Sequence, residues 1–270
     1  MSERARSNRA SSAQPSDPKQ LVGAAGAEIS EAKVPERQQA ARGRRFVRPY
    51  IAGLALAIAV FVALGLLAHG TTDLLRFDVP ITKAIQGVHV PLYGWILTHE
   101  SDLGFPPLNV VSYVVVIVGF VAVGLRLEAA LVAGSSVLAG AVGGVIKHVV
   151  GRVRPTGHAV HVVGHVSGYS FPSGHVIEYV TLFGGSFYLV MVTWRGGRPR
   201  ALMLVLFALL VLLVGPSRVY LGQHWPSDVL GAYLFAGVWL AGTIEAHIFL
   251  KQCMTCRGVH GRHSRLTQSP

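Results

Sequence analysis

The sequence predicts an all-α membrane protein, a bundle of six transmembrane helices with interfacial helices between the first and second spans. Two observations support this fold class. The 270 residues have a mean hydropathy of +0.48, with 51% hydrophobic and 14% charged residues, which is too apolar for a soluble domain of this size. Apolar runs of helical length also recur, and about 20 apolar residues cross a hydrocarbon core of about 30 Å.

The predicted spans are long apolar segments joined by short polar ones. They cover residues 51–68, 108–124, 128–148, 176–194, 201–216 and 227–250, which makes 50–250 one domain. Residues 69–107 are only moderately apolar, so we expect one or two amphipathic helices at the membrane interface there. Residues 1–49 are polar and lack an apolar period, which predicts a disordered N-terminal tail. Residues 251–270 form a basic C-terminal tail.

The basic residues are placed as membrane topology requires. Lysine and arginine number 24 against 13 acidic residues, but they gather between apolar segments and at the ends, so we expect no nucleic-acid partner. Arg126, the turn 195–200 and the C-terminal tail alternate correctly with the basic flank 42–48. This pattern predicts a multi-pass cell-membrane protein with both termini cytoplasmic, and it places loops 149–175 and 217–226 on the extracytoplasmic side.

Three fixed cations lie in or beside these outer loops. Lys147 and Arg154 flank the end of the third span, and Ser217-Arg218 follows the fifth. Charged residues at membrane depth usually mark a functional site. Two guanidinium forks and one ammonium group can neutralise the oxygens of a phosphoryl group as its charge redistributes in the transition state. Because no acidic cluster suited to Mg²⁺ accompanies them, we expect no metal and no cofactor.

A second cluster, Pro172-Ser173-Gly174-His175, precedes the fourth span. Ser173 is a natural helix N-cap, and the free N–H groups of a helix start form an anion site. Gly174 lets the backbone approach a phosphate closely. By themselves, these residues are equally typical of an ordinary capped helix.

Two histidines and a carboxylate complete a set of groups suited to phosphoryl transfer. Asp228 lies four residues after His224, at neighbouring distance on one helical face, and Pro226 fits the first turn of that helix. Asp228 would fix the tautomer of His224 and leave its other nitrogen free to attack. We therefore expect His224, facing solvent at a span end, to be the nucleophile, and His175 to be the general acid.

The three clusters resemble the signature of the type 2 phosphatidic acid phosphatase (PAP2) superfamily, in its integral-membrane lipid phosphatase branch. Its pattern is Lys-x6-Arg-Pro, Pro-Ser-Gly-His and Ser-Arg-x5-His-x3-Asp, and every position is matched in order over residues 147–228. The resemblance implies a phosphohistidine on His224, assisted by Asp228, with His175 protonating the leaving group before water hydrolyses the phosphoenzyme. It also implies that the phosphate is bound by Lys147, Arg154, Ser173, Gly174, Ser217 and Arg218.

The substrate implied by this resemblance is a lipid phosphate or diphosphate, taken from the extracytoplasmic side with its chain between the helices. Phosphatidic acid, phosphatidylglycerol phosphate, undecaprenyl diphosphate and a phosphoinositide present the same group, and the motifs do not choose among them. Transfer of the phosphoryl group to a lipid or sugar hydroxyl stays open as an alternative. A membrane transporter is disfavoured because no internal repeat is visible. The oligomeric state is not readable from the sequence.

Several reactive residues are left without an assigned role. His158, His161 and His165 have a periodic spacing but no carboxylate or thiol beside them. Cys253-x2-Cys256 with His260 and His263 has zinc-ligand types at tight spacing, and free or palmitoylated thiols explain it equally. Arg152 is either a solvated loop charge or part of the site, and Glu178, one turn after His175, either tunes that histidine or packs.

Overall fold

The computed structural model describes residues 49–69, 74–164 and 166–266, with side chains described as far as Met254. Within these residues the chain forms eight helices and no strand, which confirms the predicted all-α class. They are α1 Pro49–Ala68, α2 Leu75–Gln86, α3 Pro91–Asp102, α4 Leu108–Ala122, α5 Arg126–Val150, α6 Gly174–Thr193, α7 Arg198–Tyr220 and α8 Pro226–Leu266. The bundle belongs to the second of two units, Leu54–Pro270. Of the predicted tail 1–49, residues 1–48 with the basic flank lie outside the described residues, whereas Pro49 begins α1.

Five of these helices are long and apolar enough to cross a membrane, namely α1, α5, α6, α7 and the part of α8 up to Met254. The protein is therefore a multi-pass membrane protein. The predicted second span corresponds to α4, which is apolar but has only 15 residues. Such a helix is about 22 Å long, short of a core of about 30 Å, so length and composition alone do not reach the predicted six spans. Residues 69–107 form two helices, α2 and α3, as the sequence predicts.

The helix α6 lies at the centre of the bundle and packs against α5, α7 and α8. Its residues Ile177, Leu182 and Leu189 are fully buried. Small residues let neighbours approach: a Cβ on Gly185 would lie 3.1 Å from a methyl group of Val132 in α5. Lipid chains are as apolar as leucine, so such close packing, rather than burial from water, is what holds membrane helices together.

Hydroxyl groups add hydrogen bonds between the helices. Tyr113 Oη of α4 lies 2.8 Å from Ser136 Oγ of α5, which in turn lies 2.8 Å from Thr181 Oγ1 of α6. Ser135 Oγ and Thr243 Oγ1 join α5 to α8 at 2.6 Å. Each such bond contributes about 0.6 kcal/mol in a membrane, and together they fix the mutual register of α4, α5, α6 and α8.

The helix α7 continues to Tyr220, so the predicted loop 217–226 is wrong at its start. Pro216 suggests a break, because proline cannot donate to the helical ladder. The hydroxyl of Tyr233 compensates nearby: it accepts the N–H of Gly215 at 3.1 Å and donates to the carbonyl of Val211 at 2.7 Å. Helix-breaking residues are tolerated in membranes where neighbouring side chains satisfy the freed backbone. Ser217 and Arg218 therefore lie in the last turn of α7.

Candidate active site

The predicted site residues meet at the end of the bundle where α5 and α7 end and α6 and α8 begin. Gly151 ends α5 in the left-handed conformation, with φ 65°, and its N–H bonds to the carbonyl of Lys147 at 2.9 Å. This turn sends the following loop back across the bundle. At the other side of the site, α8 begins at Pro226, as predicted.

Two of the predicted phosphate-binding cations come from α5 and the loop after it. Lys147 Nζ donates to the carbonyl of Tyr169 at 3.1 Å, and its Cε lies 3.8 Å from the position of a Cβ on Gly174. Arg154 donates to the carbonyls of Gly168 and Gln223 at 3.1 and 2.6 Å. Burial lowers the pKa of Arg154, and Asp228 opposes that shift. Backbone carbonyls thus hold both cations in place.

His224 is buried, with 2% of its surface exposed, so the expectation that it faces solvent is wrong. Its loop is bonded to the segment after Arg154, since the N–H of Val163 donates to the carbonyl of Leu221 at 2.9 Å, and its Nε2 lies 3.1 Å from Nη1 of Arg154. Burial, followed by the charges of Lys147, Arg154 and Arg218, holds the pKa of His224 well below its usual range, and only the Ser170 carbonyl opposes them. The imidazole is therefore neutral near pH 7, which is the state a nucleophile requires.

Asp228 lies beside His224 but does not hydrogen-bond to it. Its Oδ2 is 3.6 Å from His224 Nδ1, beyond hydrogen-bond length, because His224 precedes α8 instead of sharing its first turn. Oδ2 accepts the backbone N–H of Trp225 at 2.9 Å and the hydroxyl of Ser170. The carboxylate therefore holds the loop that carries His224, and direct orientation of the imidazole stays a prediction.

Arg152 and Asp78 complete the surroundings of Asp228. Arg152 donates to Asp228 Oδ1 at 2.5 Å and to Asp78 Oδ2 at 2.6 Å. Asp78, on α2, also accepts the backbone N–H and the hydroxyl of Ser227 at 2.9 and 2.7 Å. The sequence left Arg152 open and missed Asp78, although a carboxylate inside a moderately apolar membrane segment is itself a signal.

Ser173 and His175 stand at the start of α6. Ser173 occupies the predicted N-cap position, but its side chain makes no capping hydrogen bond. Among the side chains that the structure describes, the Ser173 hydroxyl and His175 Nε2 are two of the buried polar atoms without a hydrogen-bond partner. The imidazole of His175 stacks edge-on against Phe105, with ring centroids 4.4 Å apart. Both groups are thus free to bind a ligand.

The remaining predicted residues, Ser217 and Arg218, are fully buried against α3. Arg218 donates to the hydroxyl of Ser101 and to Oε1 of Gln223, and its guanidinium lies 5.2 Å from the centre of the Phe105 ring. The Ser217 hydroxyl donates to the carbonyl of Leu97, so a phosphate contact through it requires that bond to be exchanged. No sequence motif indicated these partners.

Glu100 is a further carboxylate next to this cluster. It is 7% exposed. Burial raises the pKa of Glu100 to about 8, and the Ser217 hydroxyl and the Arg218 guanidinium oppose that shift. Near pH 7 its carboxyl group is therefore mostly protonated and adds little negative charge beside Arg218.

The residues without an assigned role are scattered. His158 and His161 are exposed, and Glu178 is half-buried. In the parts of the chain open to description, no three His, Cys, Asp or Glu side chains are grouped as metal ligands. Cys253 is exposed and free, whereas the side chains at 165, 256, 260 and 263 lie outside the described ones.

The segment that carries these residues resembles a known protein family. The model of the PAP2 superfamily matches residues 128–251. This segment of the chain belongs to the PAP2 superfamily. The matched segment of this PAP2 protein contains every predicted site residue, whereas Asp78 and Glu100 lie before it.

Two solved structures resemble this PAP2 protein. The first is a transmembrane PAP2 type phosphatidylglycerolphosphate phosphatase from Bacillus subtilis, with a TM-score of 0.62 and 23% identity over 72% of this chain and 95% of that chain. The second is LpxE from Aquifex aeolicus, with a TM-score of 0.47 and 19% identity over 63% of this chain and 95% of that chain. None of the curated proteins compared with the chain matches it.

Proposed function

We propose that this PAP2 protein is an integral-membrane phosphatase that hydrolyses a lipid phosphate or diphosphate through a phosphohistidine intermediate and needs no metal. One observation carries the proposal. A buried, neutral His224 presents Nε2 beside Arg154, with the charges of Lys147 and Arg218 close enough to lower its pKa. A phosphoryl group bound by these cations would lie against a nucleophilic nitrogen.

The reaction would proceed in two steps. His224 Nε2 attacks phosphorus, a nitrogen–phosphorus bond forms, and the bond to the leaving oxygen breaks as His175 gives that oxygen a proton. Water then attacks the phosphohistidine and loses a proton to His175, which releases inorganic phosphate and restores both histidines. Lys147, Arg154 and Arg218, with the Ser173 hydroxyl and the backbone at Gly174, would stabilise the charge on the non-bridging oxygens.

An apolar groove beside the site supports a lipid as the substrate. It has a volume of about 800 Å³ and runs between α4, α6 and α7, where Val115, Phe183 and Leu206 line it. It begins at Leu103, one residue before the α3–α4 corner that contacts His175. A hydrocarbon chain would fill this groove while its phosphate reaches His224. Phosphatidic acid, phosphatidylglycerol phosphate and undecaprenyl diphosphate all meet this description.

We further propose six membrane passes, with both termini cytoplasmic and the site extracytoplasmic. The end of α1 belongs to the site end, because His69 Nδ1 lies 3.0 Å from the carbonyl of Val150. The helices α2 and α3 also contact the site, through Asp78 and Ser101. Since α5 begins at the opposite end, α4 must return the chain there. A short helix of this kind is accommodated by local thinning of the bilayer.

The experiment that tests this function is phosphate release by detergent-purified protein in EDTA, across a panel of lipid phosphates and diphosphates. We expect release from one lipid class and inhibition by orthovanadate, which mimics the pentacoordinate transition state. His224→Ala should lose turnover by orders of magnitude. The matched control is His247→Gln, since His247 is a buried histidine far along α8, the helix that follows His224.

Two results would contradict the proposal. Phosphate release retained by His224→Ala would exclude the phosphohistidine. Loss of activity in EDTA that Mg²⁺ restores would exclude metal-independent chemistry. If phosphate appears on an added acceptor lipid and not in water, the protein is a phosphotransferase.

A further inference from the structure

We propose that Asp78 and Arg152 act as positioning residues, holding Asp228 and through it the loop of His224 in reactive geometry. The inference rests on the proposed function, in which His224 is the nucleophile. We call the three residues the Asp78–Arg152–Asp228 relay. Asp78 belongs to α2, before the segment that the family model matches.

The relay is a guanidinium held between two carboxylates. One terminal nitrogen of Arg152 binds Asp228 at 2.5 Å and the other binds Asp78 at 2.6 Å. The three side chains are no more than 4% exposed. A buried guanidinium is stable only when its donors are satisfied, and its planar fork fixes the directions of both partners. Arg152 therefore transmits the position of Asp78 to Asp228.

Ser227 ties the same groups to the start of α8. Its backbone N–H and hydroxyl both bond to Asp78, and its oxygen also accepts from Arg152 at 2.6 Å. Asp78 thus holds the residue directly before Asp228 as well as the arginine that binds it. Movement of α2 would displace the first turn of α8.

Asp228 in turn determines where His224 stands. With Oδ1 bound to Arg152, its Oδ2 is directed to the N–H of Trp225, the residue after His224, and to Ser170. The backbone N–H of Ser170 also bonds to the carbonyl of Arg152 at 2.8 Å. Both segments that flank the imidazole are therefore fastened to the relay. Within the relay, Asp228 lies beside His224, with Oδ2 3.6 Å from Nδ1, so Asp78 and Arg152 act through it.

The test is Asp78→Asn, which keeps the size of the side chain and removes its charge. We expect kcat to fall about 10- to 100-fold, because a misplacement of about 1 Å costs that much, while KM changes by less than about twofold since the phosphate ligands are untouched. Arg152→Lys should not preserve kcat, because the single ammonium group of a lysine lacks the planar pair of terminal nitrogens with which Arg152 binds both carboxylates. If Asp78→Asn does not fold, Ser227→Ala takes its place in the test, because this variant keeps all three charges of the relay.

The matched control is Glu128→Gln. Glu128 is another buried carboxylate, paired with Lys251 at the start of α5, the end of the bundle away from the site. Its loss should lower the melting temperature without changing kcat. A double-mutant cycle separates positioning from general stability: Asp78→Asn should have little further effect when Asp228→Asn is already present.

Binding of orthovanadate, measured by calorimetry on the same samples, distinguishes this inference from the proposed function. Two results would refute the relay and leave the proposed function intact, provided that wild type releases phosphate. Either Asp78→Asn keeps the wild-type kcat, or the effects of Asp78→Asn and Asp228→Asn on activity are additive. If wild type binds vanadate without turnover, the relay still predicts about 10-fold weaker vanadate binding in Asp78→Asn, and equal binding refutes it. If the wild-type protein neither hydrolyses a lipid phosphate nor binds vanadate, both the relay and the proposed function are refuted.

Discussion

His224 has one nitrogen toward cations and the other toward a carboxylate, and its reactivity follows from that asymmetry. Arg154 lies 3.1 Å from Nε2 and Asp228 lies 3.6 Å from Nδ1. The cations disfavour protonation of the free imidazole, so Nε2 keeps its lone pair, which accepts an N–H of Arg154 until a substrate phosphate takes that donor. When a phosphate dianion binds, its charge offsets the same cations. In the proposed mechanism each cation thus serves both the nucleophile and the bound oxygens, and loss of any one of them should affect both.

Glu100 makes the stability of the protein depend on pH. Its pKa rises from 4.5 to about 8 by burial, so the folded protein holds a proton that the unfolded chain releases. The contribution of this group to the free energy of unfolding therefore falls as pH rises from 4.5 to about 8. Glu100→Gln keeps the shape of the protonated acid and does not titrate. We expect its melting temperature to equal that of wild type near pH 4.5 and to exceed that of wild type at pH 8.

Thermal unfolding in detergent, followed by tryptophan fluorescence at both pH values, measures this difference. Asp102→Asn removes an exposed carboxylate from the same helix and is the matched control, for which the gap to wild type should not widen with pH. A gap between Glu100→Gln and wild type that is the same at both pH values would contradict the prediction.

At the scale of elements, the corner between α3 and α4 covers His175, the proposed general acid. A Cβ on Gly104 would lie 2.6 Å from His175 Nε2, so Gly104→Ala must displace the imidazole. A displaced acid matters most for a poor leaving group. We expect Gly104→Ala to lose more activity on a lipid phosphate, which leaves as an alcohol, than on p-nitrophenyl phosphate, which leaves without a proton.

The ratio of the two activities measures this effect, and His175→Ala should change it in the same direction. Gly140→Ala in α5 is the control, because a Cβ there meets nothing within 4 Å. An equal loss on both substrates would mean that the corner disturbs phosphate binding and leaves protonation intact.

The arrangement of the helices also explains why the sequence predicts the residues that form the proposed phosphate site and misses the residues that surround them. Lys147, Arg154 and His224 stand at helix ends whose order along the chain brings them to one side of a bundle, so spacing and hydropathy suffice to group them. Asp78 and Glu100 belong to α2 and α3, whose contacts span 74 residues to Arg152 and 79 residues between Glu100 and Tyr179. Local patterns carry no information about pairing at such separations. The end of α7 differs from the predicted span end for a similar reason, since Tyr233, which bonds to the backbone near Pro216, lies in another helix.

For the whole molecule, hydropathy and contacts give different grounds for counting spans. Hydropathy finds five helices of sufficient length. Connectivity favours six, because α3 ends near the site through Ser101 and Arg218, whereas Arg126 begins α5 at the far end. The charge pattern requires an even number of passes if both termini share a side. Whether the 15 residues of α4 cross the membrane therefore decides between five and six passes.

Single cysteines in a background without Cys253 and Cys256 test this topology in intact cells. Val90→Cys lies in the loop between α2 and α3 with 54% of Val90 exposed, and Val123→Cys follows α4 with 62% of Val123 exposed. If α4 crosses the membrane, a membrane-impermeant maleimide should label Val90→Cys from outside and label Val123→Cys only after permeabilisation. Native Cys253, exposed near the end of the described side chains, should behave like Val123→Cys. Labelling of Val123→Cys from outside would mean that α4 returns to the site side, which would leave five passes and put the two termini on opposite faces.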